Sequence, residues 1–267
     1  MTGSLMRARL NLPARYPFLI SLRTSARCIP PWMVLFACLP PVHDVSKTFL
    51  QPLRNCPVTY SRSRTSADIT VINAALTVLT IILSGQFNLT KTYFILSGTA
   101  NGNPRMITLR GVAFARFAIQ VDTQMVWDAR EVPPSWKSGH VPMGENMPDS
   151  FPRAFRGSEI YELNGNLRKF AMDVAQQVTL EDSEKAAATR AMYALNRMYE
   201  AATLPPRIIE GDVLSSNTFW HGFHFSERMD NVAKVYTDDK GRYAMAAQED
   251  SAILTGWGES RTLFPTA

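Results

Sequence analysis

Three short apolar runs in this chain stop abruptly in small polar residues, and helical patterns separate them. They are YFILSGTANGNP at 93–104, IIEGDVLSSNT at 208–218 and YAMAAQED at 243–250. A brief apolar run bounded by turn formers is the pattern of a buried strand. Strands alternating with helices are what an α/β layered domain requires. In that architecture ligands sit beyond the carboxyl ends of the strands. The loops ending these runs are therefore where function is to be sought, because backbone N–H groups come close to a ligand where a Cβ is absent.

The surrounding pattern supports that reading. Ile69–Leu83 is apolar on most sides and predicts a buried helix, followed by a turn at Phe87–Leu89. Thr92–Ser97 reads as a strand, and Leu109–Val121 as one long strand or a bent pair, with Val112, Phe114 and Phe117 supplying β propensity. Residues 131–158 hold five of the seventeen prolines and predict a long irregular excursion, of the kind that is usually functional. Glu159–Leu163 is strand-like, and Asn164 can cap a helix to about Val178. Thr179–Asp182 has the form of a capping box opening a helix through about Ala201, whose polar face (Glu181, Glu184, Lys185, Arg190) reads as solvated. Arg207–Val213 and Tyr243–Ala247 are further strands, and 223–235 a helix.

Residues 1–67 are different in texture. They carry nine Lys or Arg against the single acid Asp44, while the other 200 residues carry 19 basic and 22 acidic groups. The net charge of +5 is thus a property of the N-terminal quarter, and no basic stripe for nucleic acid is written elsewhere. That quarter has no sustained period and reads as an irregular segment. Its first 27 residues hold five Arg and no acid, superficially like a transit peptide, although Pro13 and Pro17 interrupt any helix. Cys28, Cys38 and Cys56 are an odd, irregular set and read as free thiols rather than a disulfide or metal framework. Hydrophobic residues make up 46% of the chain, enough for a core over 68–255, and no run of 18 apolar residues predicts a membrane span. Asn88-Leu89-Thr90 is a bare glycosylation sequon.

Within the strand-end loops, Gly98 and Thr99 offer backbone donors. Ser215, Ser216 and Asn217 offer hydroxyl and amide groups, beside the flat faces of Phe219 and Trp220. Hydrogen-bonding groups next to aromatic faces suit a planar heterocycle, and equally a helix cap beside a core aromatic. Glu249 and Asp250, at the start of a helix, can complement its dipole or accept two hydroxyls of a ribose. His221 and His224 have no third ligand, so no metal is expected, and no cofactor is called for.

The order of several blocks resembles the purine nucleoside permease family. They are INAAL at 72–76, FNLTKTYFILSGTANGNPRMITLRGVAFARFAIQVD at 87–122 and WDAREVP at 127–133, then GSEIYELNGNLRKFA at 157–171, DVLSSNTFWHG at 212–222 and AAQEDSAIL at 246–254. That family is itself similar to the nucleoside phosphorylase superfamily. The resemblance implies a three-layer α/β/α domain with a mixed, partly barrel-like sheet over 68–255, incomplete at both termini, and an irregular tail at 256–267. It implies a purine nucleoside (adenosine, guanosine or inosine) as ligand, in nucleoside transport or metabolism. Gly98 and Thr99 would lie at the phosphate or ribose end, Glu249 with Asp250 at the ribose hydroxyls, and Ser216, Asn217, Phe219 and Trp220 beside the purine. Relatives of full length would be secreted or cell-surface associated, and a homo-oligomer is compatible with the reading.

Departures from the family pattern bear on activity. Asn101 stands where the family loop has its second Gly, Leu96 where phosphorylases carry a phosphate-binding Arg, and Asn217 where the family commonly has Asp. The first strand expected of the family is not evident in 1–67, nor is a leaving-group Ser-Asp motif after Leu254. A truncated or misassembled member is therefore the expectation from sequence. Nucleoside binding, N-glycosidic cleavage by water or phosphate, and an inactive fragment remain three readings of the same chain.

Overall fold

The computed structural model describes residues 19–24, 34–39, 61–65, 70–84, 86, 89 and 93–263, with backbone alone for the first three segments and for 259–263. Asn88 and Thr90 of the sequon, most of the 87–89 turn, most of the leader-like start and the cysteine side chains lie outside the described residues.

Three places where the chain bends from one sheet into another organise the domain. The stretch read as one long strand or a bent pair is the bent pair, β6 (Val112–Phe114) and β7 (Phe117–Gln120). Residues 207–213, read as one strand, divide into β11 (Ile208–Glu210) and β12 (Asp212–Ser215). Likewise β4 (Phe94–Thr99) is followed at once by β5 (Asn101–Gly102). In each case the first half belongs to a six-stranded sheet and the second to a five-stranded one. With β1 (Leu19–Thr24), β2 (Val34–Leu39) and β3 (Ser61–Thr65), the first sheet has the order β11-β6-β1-β4-β2-β3. With β10 (Ile160–Glu162) and β13 (Tyr243–Ala247), the second has the order β10-β7-β12-β13-β5. Both sheets are mixed: β1 runs parallel to β4 and antiparallel to β6, while β12 runs parallel to β7 and β13.

The bends have a chemical cause. Gly211 sits at the β11–β12 corner, where a Cβ would lie 2.3 Å from the Cβ of Ala244. Only a residue without a side chain lets the strands approach that closely. Bending also removes N–H groups from the ladder, and Asp212 recovers them. Its buried carboxylate accepts from Arg116 N at 2.9 Å, Phe117 N at 2.7 Å and Arg242 N at 2.6 Å, linking the β6–β7 corner to the start of β13.

Small residues fill the space between the two sheets: Ala113, Ala115, Ala118, Ala244 and Ala247 surround Val213 and Met245. The alternate residues face outward, under helices. Val112 and Phe114 pack beneath α2 (Gly165–Ala175), through Met172 and Ala175. The helix α1 (Val71–Leu83) packs with α6 (Asp250–Leu263) and β4, through Ala74, Val78, Leu96 and Ile253. Phe117, Ile119 and Leu214 pack beneath α5 (Phe223–Tyr236), through Met229, Ala233 and Tyr236. The domain is thus α/β, with helices on the outer faces of mixed sheets.

Two readings of the helices change. The side chain of Asn164 caps α2 as expected, accepting from Leu167 N at 2.9 Å. The capping box at 179–182 does not form. Ser183 caps α3 (Glu184–Ala191), and Asp182 is instead gripped by Arg190, which is buried rather than on a solvated face. The helix also stops early. Asn196 is extended, its side chain accepts from Met198 N at 3.0 Å, and only short 3₁₀ turns and α4 (Glu200–Thr203) follow. A side chain that bonds its own backbone competes with helix continuation. At the chain ends, β1, β2 and β3 lie within the segment read as irregular, and α6 runs through Leu263, into the stretch read as a tail.

The proline-rich excursion is anchored by a two-stranded ribbon, β8 (Gln124–Val126) against β9 (His140–Pro142). Gly139 closes it: Trp127 N donates to Gly139 O at 2.8 Å, and a Cβ there would lie 2.1 Å from Trp127 O.

Candidate functional site at the strand ends

The carboxyl ends of β7, β12 and β13 lie side by side, because the three strands are parallel neighbours. Gln120 pairs with Ser215, and Ser215 with Ala247, so the segments 121–123, 216–218 and 248–251 emerge together. The fourth segment arrives from the other sheet. Asn101 pairs with Ala246, antiparallel, which carries Thr99 and Ala100 toward the end of β13. Gly98 and Thr99 close β4, paired with Arg23 and Thr24 of β1. Asn103 pins the loop: its Nδ2 donates to Tyr243 O at 2.9 Å and its Oδ1 accepts from Arg105 N at 3.1 Å.

Hydrogen bonds knit these ends. Ser216 Oγ donates to Asp122 Oδ1, Asn217 N donates to Asp122 Oδ2 at 3.0 Å, and Thr218 N donates to Ser216 Oγ at 2.8 Å. Asp122 thus clasps the turn after β12. Asn217 Oδ1 accepts from Val71 N at 3.1 Å, so it caps α1 across the fold, where Thr70 makes no side-chain cap. Ser215 Oγ accepts from Ser251 N at 3.0 Å in the first turn of α6. Glu249 O accepts from Ile253 N at 3.0 Å, and Glu249 Oε2 accepts from Gln248 N at 3.1 Å. Two helix N-termini therefore meet at these strand ends, and their partial positive charge favours the carboxylates of Glu249 and Asp250.

Of the side chains read from the sequence, Ser216, Asn217, Glu249 and Asp250 are brought together with the Gly98–Thr99 strand end. Asp250 is fully buried and Glu249 nearly so. Phe219 points into solvent, 63% exposed. Trp220 packs against the α5 core and donates from Nε1 to Tyr243 Oη at 3.1 Å. Burial pushes the Tyr243 phenol up to about 12, against the pull of the Trp220 bond. Leu96, at the position where phosphorylases carry an Arg, is buried in the α1–α6 core. His221 and His224 are both exposed, and among the described residues no group of three potential ligands could hold a metal. Asp122 was not singled out by sequence reasoning. Its only signal is its place, one residue past an apolar run that ends at Val121.

The domain is a mixed-sheet α/β fold whose hydrogen-bonding groups gather at parallel strand ends, the place where such folds hold ligands. The chain belongs to the purine nucleoside permease family, whose profile matches residues 48–260. It is 31% identical over 245 residues to a purine nucleoside permease of Candida albicans, covering 89% of this chain and 58% of the relative. It is 35% identical over 194 residues to a probable purine nucleoside permease of Schizosaccharomyces pombe, covering 68% and 54%. The chain therefore spans little more than half the length of these relatives. Among solved structures it is similar, at 15% identity and a TM-score of 0.38, to the 5′-methylthioadenosine/S-adenosylhomocysteine nucleosidase of Neisseria meningitidis, covering 76% of this chain and 63% of that one. Among the described residues no helix is long and apolar enough to cross a membrane.

Proposed function

We propose that this chain binds a purine nucleoside at the ends of β7, β12 and β13, as the recognition part of nucleoside uptake and metabolism. The observation that carries the reading is the bonded convergence of Asp122, the 216–218 turn and the 248–251 helix start. Carboxylates there accept the donors of a ribose diol, with Glu249 the nearest to solvent of the pair at the start of α6. The backbone at Gly98–Thr99 borders the sugar, and Ser216, Asn217 and the exposed Phe219 border the base. Adenosine, guanosine and inosine share the ribose and a flat purine, so all three are candidate ligands.

A second reading, cleavage of the N-glycosidic bond, is favoured by the adjacent carboxylates Glu249 and Asp250, which suit a sugar developing positive charge. The buried Leu96 weighs against phosphate as the attacking group, because a bidentate cation is missing from that position. One experiment separates the readings. The purified chain is titrated calorimetrically with each nucleoside, and the mixtures, with and without phosphate, are analysed for free base. Saturable binding without base supports recognition, and base release supports cleavage. Absence of both, or binding unchanged in Glu249→Gln, refutes the site.

A further inference from the structure

A second cleft lies between the β8–β9 ribbon and α5, lined by Gln124, His140, Asp149, Arg228, Asn231 and Tyr236 among others. None of the residues discussed for the nucleoside takes part in it. Its polar groups are poorly matched to one another. The Arg228 guanidinium is part-buried and donates only to the neutral amide oxygen of Gln124 and, at 3.8 Å, to the Met229 sulfur. No carboxylate forms an ion pair with it among the described residues, and Asp149 acts on it only from a distance. Asp149 is itself engaged by Asn231 Nδ2 at 2.6 Å. The Tyr236 ring is buried, and its hydroxyl faces the cleft and forms no hydrogen bond among the described residues. The Nδ1 of His140 is buried and also without one.

A part-buried cation without a counter-ion loses hydration uncompensated, and a buried ring nitrogen without a partner is costly as well. Both deficits are removed by one kind of ligand, an acceptor-rich group with negative charge. We propose that this cleft is a binding site for a small oxyanion, a phosphate or carboxylate group, held by the Arg228 guanidinium and the Tyr236 hydroxyl. Guanidinium N–H groups match the oxygens of either anion, and the phenol supplies a third donor. His140 adds a neutral N–H donor, since burial and the nearby Arg228 charge hold its imidazole down at about 4. Asp149, which also lines the cleft and is held by Asn231, disfavours a highly charged ligand.

The test is calorimetric titration of the full chain with inorganic phosphate and, separately, with acetate. Saturable one-to-one binding of either anion is expected, and the better binder identifies the source. Arg228→Met should weaken it by about tenfold or more, and Tyr236→Phe by several-fold. Arg228→Met should keep the wild-type circular dichroism spectrum, because it removes a part-buried charge rather than a pair. If it fails to fold, Tyr236→Phe, which keeps the cation, decides. Absence of binding by both anions, or binding unaffected by both variants, overturns the proposal.

Discussion

Replacing Asp212 by Asn tests whether one carboxylate holds the two strand corners together. Asn has nearly the same shape, so packing is preserved and only the bonding changes. Asp212 Oδ1 serves Arg116 N and Phe117 N, and Oδ2 serves Arg242 N. In the best orientation the Asn oxygen keeps the first two, and its amide group meets the Arg242 N–H donor to donor. One hydrogen bond to a charged acceptor is lost, worth about 1.5–3 kcal/mol, and a buried donor is orphaned at about 1–3 kcal/mol more. Part of this returns because a buried charge disappears: burial raises the Asp212 carboxyl above its ordinary value, against the lowering effect of its three N–H bonds. The net expectation is a loss of about 2 kcal/mol at neutral pH. Urea unfolding followed by circular dichroism reads this as a lower midpoint at unchanged slope. The sign with pH follows as well. A raised carboxyl holds its proton in the folded state above the unfolded value, so it lowers stability as pH rises through the window just above the ordinary carboxylate range. Asp212→Asn lacks that slope. A variant within about 0.5 kcal/mol of wild type, the scatter of ordinary surface substitutions, refutes the clamp.

Four other outcomes follow from the same geometry. Gly211→Ala drives a methyl into Ala244 and should cost about 1–3 kcal/mol, with Ala244→Gly in the same chain restoring most of it in the urea midpoint. His140, held at about 4, binds its proton more readily when unfolded, so stability should fall as pH drops from about 6.5 toward 4. His140→Gln should flatten that segment of a stability–pH curve. Asp122→Ala removes two bonds at an exposed turn and should weaken nucleoside binding several-fold while lowering the unfolding free energy by only about 1–2 kcal/mol, read by calorimetry and urea titration together. Trp220→Phe removes the bond to Tyr243 and should raise the Tyr243 titration further, read by ultraviolet absorbance at alkaline pH.

The extents of α1, α5 and β13 and the start of α2 at its Asn164 cap were readable from sequence, because apolar spacing and capping chemistry are local. So was the adjacency of the turns after β12 and β13, since each ends an apolar run and the two strands are parallel neighbours that end on the same side. What lay beyond reach was every contact set by another part of the chain. Arg190 looks like a surface cation until Asp182 folds back on it. Trp220 looks like a stacking face until Tyr243 claims its N–H. Asn217 looks like a base contact and is also the cap of a helix 146 positions away in sequence.

By itself, then, the order of residues determined an α/β class and the family to which the chain belongs, and it singled out the strand-end loops that the proposed site uses. Periodicity and loop chemistry depend on neighbours a few residues apart, and a string displays those directly. Only the tertiary structure decided that strands bend at Gly211 and at Ala115–Arg116, that Asp212 and Asp122 clasp those corners and ends, and that Arg228 faces a cleft with no ion-pair partner among the described residues. Those features depend on which buried donors are left unsatisfied after the sheets have packed, and that is a property of the assembled fold.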